Sequence, residues 1–542
     1  MNPLFSRMTK RYTPPMNREV MEGMAVSVME YVEEYLDGQI RSVCVGLPDN
    51  VRYIGYKRCT SQEEYEEITK ARGNRRTFDL AKSSVYLVKY FISFFDEMGT
   101  EHLITRYVYL PFVNTGGIMH IGGTPYHIVP VLSDKVFTPE QDSIFVRLMQ
   151  DRNNMYRMYH TAIINGKREA RYVIWAVIYR NQTDSRTSAT TKAKTLLTHY
   201  LFGKYGFTGA FTRYAGSVPE FGTDNITTET HPLDEWIICQ STGVKPATCL
   251  DRVYQRTQIR LAVRKENWNP AMESLIMGFF YIVDHFPDRF KADLSYLDDT
   301  ALWMILIGHI RLSGVYGEHK LHTKIAEHFE SLDGYLDTVV KEKLAERGII
   351  LENYYDLLNY IQVNFNEMIR ENESSGLCVY GKNMEVLSYL LYDILYGFVM
   401  VKFRLNKILS RRPLTLKDVT ENYHRQVRMG AIFSLSSGKI ITEAVSYSGD
   451  SLYPKITAVI AEQKNRAGAN RGQSDRVVVG PHYWIDLSMV TVGSVLNLPK
   501  SNPTPVARVN PWITIDRRTG TVLPNPKFEK LIEENRPQFK LT

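Results

Sequence analysis

The chain has 542 residues, a net charge of +7 with neutral histidines, 44% hydrophobic residues and 23% charged residues. These values are ordinary for a globular protein, and they exclude a disordered, collagenous or coiled-coil chain and a strongly basic packaging protein. A chain of this length is expected to hold about three or four domains or lobes. Any nucleic-acid surface must therefore come from local clustering of cations.

The cysteine pattern and the apolar segments indicate the compartment. Five cysteines in so long a chain do not suggest a disulfide framework, and none stands in a CxxC pair of a zinc ribbon or thiol redox site. The N-terminus lacks the apolar segment of a signal peptide, and the longest apolar stretches are too short or interrupted to span a bilayer. We expect a protein of a reducing interior with no membrane contact.

The first predicted elements are helices. Apolar residues recur at helical spacing between Val20 and Tyr35, and a second helix is predicted over residues 61–70. Residues 40–60 are expected to form short strands around a turn.

The next part of the chain predicts β-structure with two tight hairpins. Gly122-Gly123 stands between two strands, where a two-residue turn needs positive φ. Asn165-Gly166 is the preferred pair of a type I′ turn and joins strands predicted over 153–164 and 169–179. The second of these strands is apolar on both faces, so we expect it to be buried.

Helical patterns dominate the centre of the chain. They cover residues 188–202, a strongly apolar segment at 272–284, and nearly all of residues 299–409. After Lys407 the chain becomes polar, basic and rich in glycine and serine. Together these elements predict the α+β class, in a mixed architecture of several lobes.

No familiar catalytic signature is present in the sequence, and no nucleophile with a matching base stands out. His319, His322 and His328 are predicted to lie on one helix, which we interpret as a surface histidine cluster rather than a metal site. Asp293, Asp298 and Asp299 form a carboxylate cluster that could hold magnesium. Asp298 and Asp299 precede a predicted helix, however, and capping of that helix is the interpretation we prefer. The sequence therefore predicts no catalytic residue and no metal ligand in this chain.

The basic, glycine-rich window at 464–476 is the most suggestive element. It holds four basic residues, one acid and two glycines, the pattern of a loop that contacts phosphates. A solvated surface loop explains the same pattern equally well. Nearby cations favour nucleic acid, and these are Arg404, Lys407, Arg411, Arg412, Arg425 and Arg428.

Three segments, taken in order, resemble the N-terminal half of the β subunit of multisubunit RNA polymerases. Ile118–Leu132 is similar to an early hairpin of that family, with Gly122-Gly123 in place of Asn-Gly. Asp298-Asp299 followed by Ile307-Gly-His309 is similar to an Asp-Asp…His-Leu-Gly stretch before a long helix. Val479–Trp484 is similar to a His-Pro-Thr-His-Tyr-Gly stretch before a Pro-rich segment. A β subunit divided between two chains resembles the arrangement in phiKZ-like jumbo bacteriophages.

The resemblance implies a division into family lobes. Residues 1–150 with 306–400 would form a protrusion-like domain, 151–305 a lobe-like domain and 401–520 a fork-like region, followed by a C-terminal tail at 521–542. The catalytic magnesium would be held by a β′-like partner, so this chain would be a non-catalytic subunit of a DNA-directed RNA polymerase with no cofactor of its own. The implied partners are a C-terminal β-like half, β′-like halves, other polymerase subunits, DNA and RNA.

We predict that the nucleic-acid contacts are made by cations of the C-terminal part, chosen for their clustering and for the implied fork location. The set consists of Arg425, Arg428, Lys439, Lys464, Arg466, Arg471 and Arg476.

Two other function classes fit the sequence. A phage virion structural protein, such as a tail or capsid accessory component, is consistent with the 34 tyrosines and the lack of enzyme motifs. A stand-alone enzyme fits least, since no set of catalytic groups stands out. The residues fit both a virion-packaged and a non-virion polymerase. The expected location is the cytoplasm of the infected bacterial host, with a phage nucleus-like compartment or the virion as alternatives.

Overall fold

The structure is a computed structural model that combines helices with mainly antiparallel sheets, which confirms the α+β class. It describes residues 24–72, 83–114, 117–139, 143–148, 152–178, 194–242, 259–286, 294–312, 316–332, 335–336, 338–345, 347–370, 380, 382–432, 441–443, 458–461, 506–508, 513–516 and 520–535.

The first unit is the core formed by buried side chains from residues 25–128 and 386–432. Its centre is an antiparallel sheet in the order β1-β2-β3, packed with helices from two distant parts of the chain, residues 24–72 and 387–426. The strands are β1 (Val51–Arg58), β2 (Val85–Phe95) and β3 (Glu101–Pro111), and the helices are α1 (Met24–Met29), α2 (Val32–Val43) and α3 (Ser61–Arg72).

The second unit is the core formed by buried side chains from residues 136–365. Its eight-stranded sheet follows the main path β11-β10-β9-β13-β14-β12, with β8 pairing to both β7 and β9. The strands are β7 (Phe137–Pro139), β8 (Ser143–Arg147), β9 (Arg152–Ile164), β10 (Lys167–Ala176), β11 (Thr195–Leu196), β12 (Glu220–Gly222), β13 (Trp236–Gln240) and β14 (Arg260–Arg264).

Helices of the second unit pack on each other and on this sheet. Aromatic rings such as Phe202, Phe279 and Trp303 meet in its centre at centroid distances of 4.8–6.4 Å. The helices are α4 (Leu197–Ala215), α5 (Pro270–His285), α6 (Leu294–Leu297), α7 (Thr300–Leu312), α8 (Glu318–Leu332), α9 (Thr338–Ala345) and α10 (Tyr354–Arg370).

Shorter sheets join distant parts of the chain. β6 lies between β15 and β17 in the order β15-β6-β17-β18, and β5 lies between β4 and β16. The remaining elements are β4 (Ile118–Ile121), β5 (Thr124–Ile128), β6 (Val131–Asp134), β15 (Lys382–Glu385), α11 (Leu387–Leu390), α12 (Tyr392–Leu409), α13 (Leu416–Gln426), β16 (Ile441–Glu443), β17 (Ala458–Ala461), β18 (Val506–Arg508), β19 (Thr514–Ile515), β20 (Val522–Leu523) and α14 (Pro526–Asn535).

Both predicted tight hairpins are confirmed. Gly122 and Gly123 have φ of 58° and 88° between β4 and β5, and Asn165 and Gly166 have φ of 49° and 77° between β9 and β10. Local turn chemistry sets these positions, because few residues other than glycine and asparagine adopt positive φ at low cost.

The predicted helix at 188–202 differs from the structure. Residues 188–193 lie outside the described part, residues 195–196 form β11, and the helix begins at Leu197 and continues to Ala215. The helix extends past the predicted end at 202 through a stretch rich in glycine, because burial of its aromatic residues outweighs the weak helix propensity of glycine.

The two cores divide the chain at different places from the predicted lobes. The buried side chains of 306–365 belong to the second unit, and those of 386–432 belong to the first. The roles of protrusion, lobe and fork stay predictions. No helix within the described ranges is both long and apolar enough to cross a membrane.

Candidate nucleic-acid interface

Two of the seven predicted contact residues lie in the described part of the chain. Arg425 lies in α13 and Arg428 lies just after it, and both side chains are exposed. The other five members of the predicted set, Lys439, Lys464, Arg466, Arg471 and Arg476, lie outside the described residues.

Helices α12 and α13 border an open cleft with a volume of about 500 Å³. Its lining is basic except for one apolar and one amide side chain. The residues are Arg404, Lys407, Ile408, Arg411, Arg412 and Asn422. The cations are those that the sequence associated with the basic window, and the tertiary structure adds Asn422 from the second helix.

Helical spacing explains why these cations lie together. Arg404, Lys407 and Arg411 are separated by three and four residues, which places them on neighbouring turns of one side of α12 and its end. Proline at 413 ends this helix, because it has no backbone N–H to donate. Thr415 and Asp418 then form a capping box that starts α13, with each side chain accepting from the other's backbone N–H.

One of the cations is already paired. Arg412 donates two hydrogen bonds of 2.7 Å to the carboxylate of Asp418. These bonds hold the pKa of Asp418 well below its ordinary range, with help from the Thr415 cap, and they raise the pKa of Arg412. Arg412 therefore acts mainly as a structural brace between the end of α12 and the start of α13.

The other three cations of the cleft carry charges that no described carboxylate neutralises. No described residue forms an ion pair with Arg404, Lys407 or Arg411. The Nε atom of Arg404 is buried and has no hydrogen-bond partner, although the residue as a whole is partly exposed. The positive charge of these three side chains at the lining of the cleft favours an anion there.

The segment with Arg425 and Arg428 is fixed to the sheet of the first unit. The Tyr423 hydroxyl donates to the carbonyl of Tyr90 at 3.1 Å, and Arg106 donates to the carbonyl of Val427 at 2.6 Å. Arg425 lies one turn beyond Asn422 on α13, so it extends the cationic side of the cleft. We call the cleft cations together with Arg425 and Arg428 the basic surface.

Close packing of the two helices depends on Gly397. A side chain at this position of α12 would lie 2.8 Å from the carbonyl oxygen of Gln426 at the end of α13. The rings of Phe398 and Tyr423 meet beside it, with centroids 5.9 Å apart. These contacts hold the two helices at the separation that forms the cleft.

The aspartate cluster before α7 and the histidine cluster on α8 both have contacts in the structure. Asp299 accepts a hydrogen bond from the backbone of Ala301 at the start of α7, which confirms the cap for this residue. Asp298 instead accepts from Thr208 of α4, and Asp293 lies outside the described residues. His328 is buried, and burial lowers its pKa to about 3, so the expectation of a surface cluster is wrong for this residue. It packs inward because α8 turns this side toward Tyr200. Within the described ranges, no group of three or more His, Cys, Asp or Glu could hold a metal.

Comparison with known proteins gives one result for nearly the whole chain. A family model described as "Non-virion RNA polymerase subunit" matches residues 4–536. No curated protein matches the chain.

Proposed function

Because the chain belongs to the family of non-virion RNA polymerase subunits, we propose that its basic surface contacts nucleic acid in the assembled polymerase. The observation that carries the proposal is the cleft in which Arg404, Lys407 and Arg411 have no acidic partner among the described residues. Unpaired cations around a concave surface concentrate positive potential, which attracts a polyanion.

Family membership also bears on the alternatives. A subunit of a multisubunit polymerase works with other polymerase subunits, and a non-virion polymerase is not a tail or capsid component. The family description therefore supports the transcription reading over the virion structural protein.

We further propose that the chain takes the place of an N-terminal β half, with the C-terminal β-like half and β′-like halves on separate chains. The order of the three similar segments supports this, and residues 118–128 of the first segment form a hairpin. In that arrangement the subunit is non-catalytic, the catalytic magnesium belongs to a partner, and the enzyme works in the cytoplasm of the infected host. Val479–Trp484, the third segment, lies outside the described residues.

The proposed contribution is positioning rather than chemistry. Cations that neutralise phosphates release condensed counterions, so binding is independent of sequence and weakens steeply with salt. Contacts to phosphates fix the register and orientation of the strand without reading bases. A DNA cleft wall needs these properties, because every template must pass along it.

The basic surface is tested by replacing Arg404, Lys407 and Arg411 with glutamine in one variant of the full chain. We expect its affinity for a labelled DNA duplex to fall on the order of tenfold or more at low salt, because three phosphate contacts are lost. The slope of log K against log salt should become shallower by about one unit for each contact removed. Fluorescence anisotropy titrations at several salt concentrations measure both quantities.

A charge-matched control replaces three exposed lysines elsewhere, Lys57, Lys265 and Lys320, with glutamine. Both variants lose three charges, so a general electrostatic effect would weaken them equally and would contradict a local site. A separate variant with alanine at Arg466, Arg471 and Arg476 tests the C-terminal members of the predicted set. Unchanged affinity and salt slope there would remove them from the contact set.

The β-like position needs an assembly experiment. The chain is co-expressed with candidate β′-like and C-terminal β-like halves, and the purified complex is assayed for extension of an RNA primer on a DNA scaffold. We expect a stable complex whose activity depends on this chain. A chain that fails to co-purify with the other halves would exclude the β-like position, whereas the DNA-binding test above would stand on its own.

A further inference from the structure

In the half of the β9–β10 hairpin nearest the Asn165-Gly166 turn, one face is buried and the other is more exposed, whereas farther from the turn Met155, Ile174 and Ala176 bury the second face as well. His160, Ala162 and Val173 are buried on the inner face, whereas Tyr159 on the outer face is 66% exposed. Successive strand residues point to opposite faces, and paired residues of neighbouring strands share a face. Arg157 and Tyr172, the cross-strand partner of Tyr159, therefore lie on the outer face as well.

Tyr159, Tyr172 and Arg157 of the outer face form one stacking contact and one cation–π contact. The rings of Tyr159 and Tyr172 are stacked, with centroids 4.2 Å apart and planes 30° apart, and their hydroxyls are hydrogen-bonded. The guanidinium of Arg157 lies 4.7 Å from the centre of the Tyr172 ring. Arg157 also donates to the side-chain oxygen of Asn366 in α10 at 3.1 Å, so it is held in place. Tyr159 is the most exposed of the three.

The charge of the hairpin is positive. Arg168 is exposed, and its pairing with Ile163 places it on the outer face, which carries no acidic residue between Arg157 and Ile174. Lys167 is exposed at the turn. The single acid of the hairpin, Glu169, is paired with Arg171. The surroundings of the tyrosine stack therefore favour a polyanion over an apolar protein segment.

We infer that the exposed ring of Tyr159 is a stacking site for a base of single-stranded nucleic acid, with Arg157 and Arg168 on the same face of the hairpin for the phosphates. Aromatic rings combined with cations bind single strands of any sequence, since every base has a face on which a ring can stack. The bases of a duplex are stacked on each other and are closed to such a ring. The site goes beyond the proposed function, because it lies on the second unit and does not involve the cleft.

The test measures binding of the full chain to labelled oligonucleotides dT12 and U12 and to a 12-base-pair duplex. We expect Tyr159→Ala to weaken binding of a single strand on the order of tenfold. The salt slope should stay unchanged, because no phosphate contact is removed. Tyr159→Phe keeps the ring and should bind like the wild type, and duplex binding should be the same for all three proteins.

Tyr65→Ala is the matched control, since Tyr65 is 69% exposed on α3 of the other unit. A preference of the wild type for dT12 or U12 identifies DNA or RNA as the bound strand. Absence of single-strand binding, or equal binding by Tyr159→Ala and wild type, overturns the inference. A Tyr159→Ala variant that only melts at lower temperature, with unchanged affinity, shows a cross-strand structural pair and overturns it too. The slope of log K against log salt distinguishes this site from the cleft. The Arg404, Lys407 and Arg411 variant should change that slope, whereas Tyr159→Ala should not.

Discussion

Replacing Gly206 with alanine destabilises the second unit by about 3 kcal/mol or more. Gly206 interrupts α4 with φ 72° and ψ −179°, a backbone conformation that is essentially restricted to glycine. A β-carbon there would also lie 2.8 Å from the carbonyl oxygen of Asp298, closer than real contacts allow. Because the two penalties act at the same position, the chain must distort either α4 or the segment before α7.

The surroundings of Gly206 show why this distortion is costly. Asp298 accepts hydrogen bonds of 2.7 Å and 2.8 Å from the backbone and hydroxyl of Thr208, directly after the kink. Phe202 and Phe207 flank the glycine and are fully buried in the second core. A shift of Asp298 breaks the hydrogen bonds, whereas a shift of α4 opens the aromatic core.

Gly209→Ala is the control, because it makes the same chemical change three residues away. Gly209 does not have positive φ, and the nearest atom to an added β-carbon is 3.4 Å away, an ordinary contact. Alanine there should leave stability unchanged or raise it by about 0.5–1 kcal/mol. Thermal and urea unfolding of both variants, followed by circular dichroism, gives the comparison. Equal midpoints for the two variants would refute the strain argument.

Replacing Glu385 with glutamine lowers stability by about 3 kcal/mol near neutral pH. Glu385 accepts hydrogen bonds from Nη1 and Nη2 of Arg147 at 3.1 Å and 3.2 Å and from Nζ of Lys343 at 2.7 Å. All three side chains are nearly buried. Glutamine fills the same space but removes the negative charge that both nearly buried cations contact. The junction joins β8 and α9 of the second unit to β15, so its loss weakens the connection to the first unit.

The same carboxylate predicts a pH dependence. Burial by itself raises the pKa of Glu385, but the charges of Arg147 and Lys343 outweigh it, and the pKa lies well below the ordinary range. A carboxyl with a lowered folded-state pKa stabilises the fold above its unfolded pKa and loses this contribution as the pH falls toward the folded value. The stability difference between wild type and Glu385→Gln should therefore shrink as the pH falls below about 4.

Glu421→Gln controls for the loss of one carboxylate. Glu421 faces Lys417 at 3.7 Å in an exposed pair on α13, and such pairs contribute about 0–1 kcal/mol. Urea unfolding of the three proteins between pH 3 and pH 8 gives the difference at each pH. A difference that stays constant over this range would contradict the ionic origin of the Glu385 effect.

Local chemistry made several elements predictable. Helix α3 and the hairpins at Gly122-Gly123 and Asn165-Gly166 follow from spacing and turn residues within a few positions. The basic character of residues 404–412 was also visible, because i, i+3 and i+7 spacing on a helix brings cations together. These features depend on neighbours in the chain.

Partners far apart in the chain were not predictable. Glu385 is 238 residues from Arg147, and no local pattern in the sequence links the two. The extent of α4 was also missed, because its glycines disfavour a helix until the aromatic core surrounds them. The outer-face stack of Tyr159 and Tyr172 required the strand register, since a shift of one residue reverses which side chains face solvent.

Patterns within the sequence are enough to predict an α+β chain, its tight turns, the basic helix end at Arg404–Arg412 and the resemblance to a polymerase subunit. The packing of α13 on α12 places Asn422 in the lining of a cleft beside these cations and pairs Arg412 with Asp418, and neither contact can be read from the sequence. The physical reason is that backbone conformation and helical spacing are local properties. Which charges remain unpaired depends on the packing of whole elements, because burial and partners set the energy of a charge.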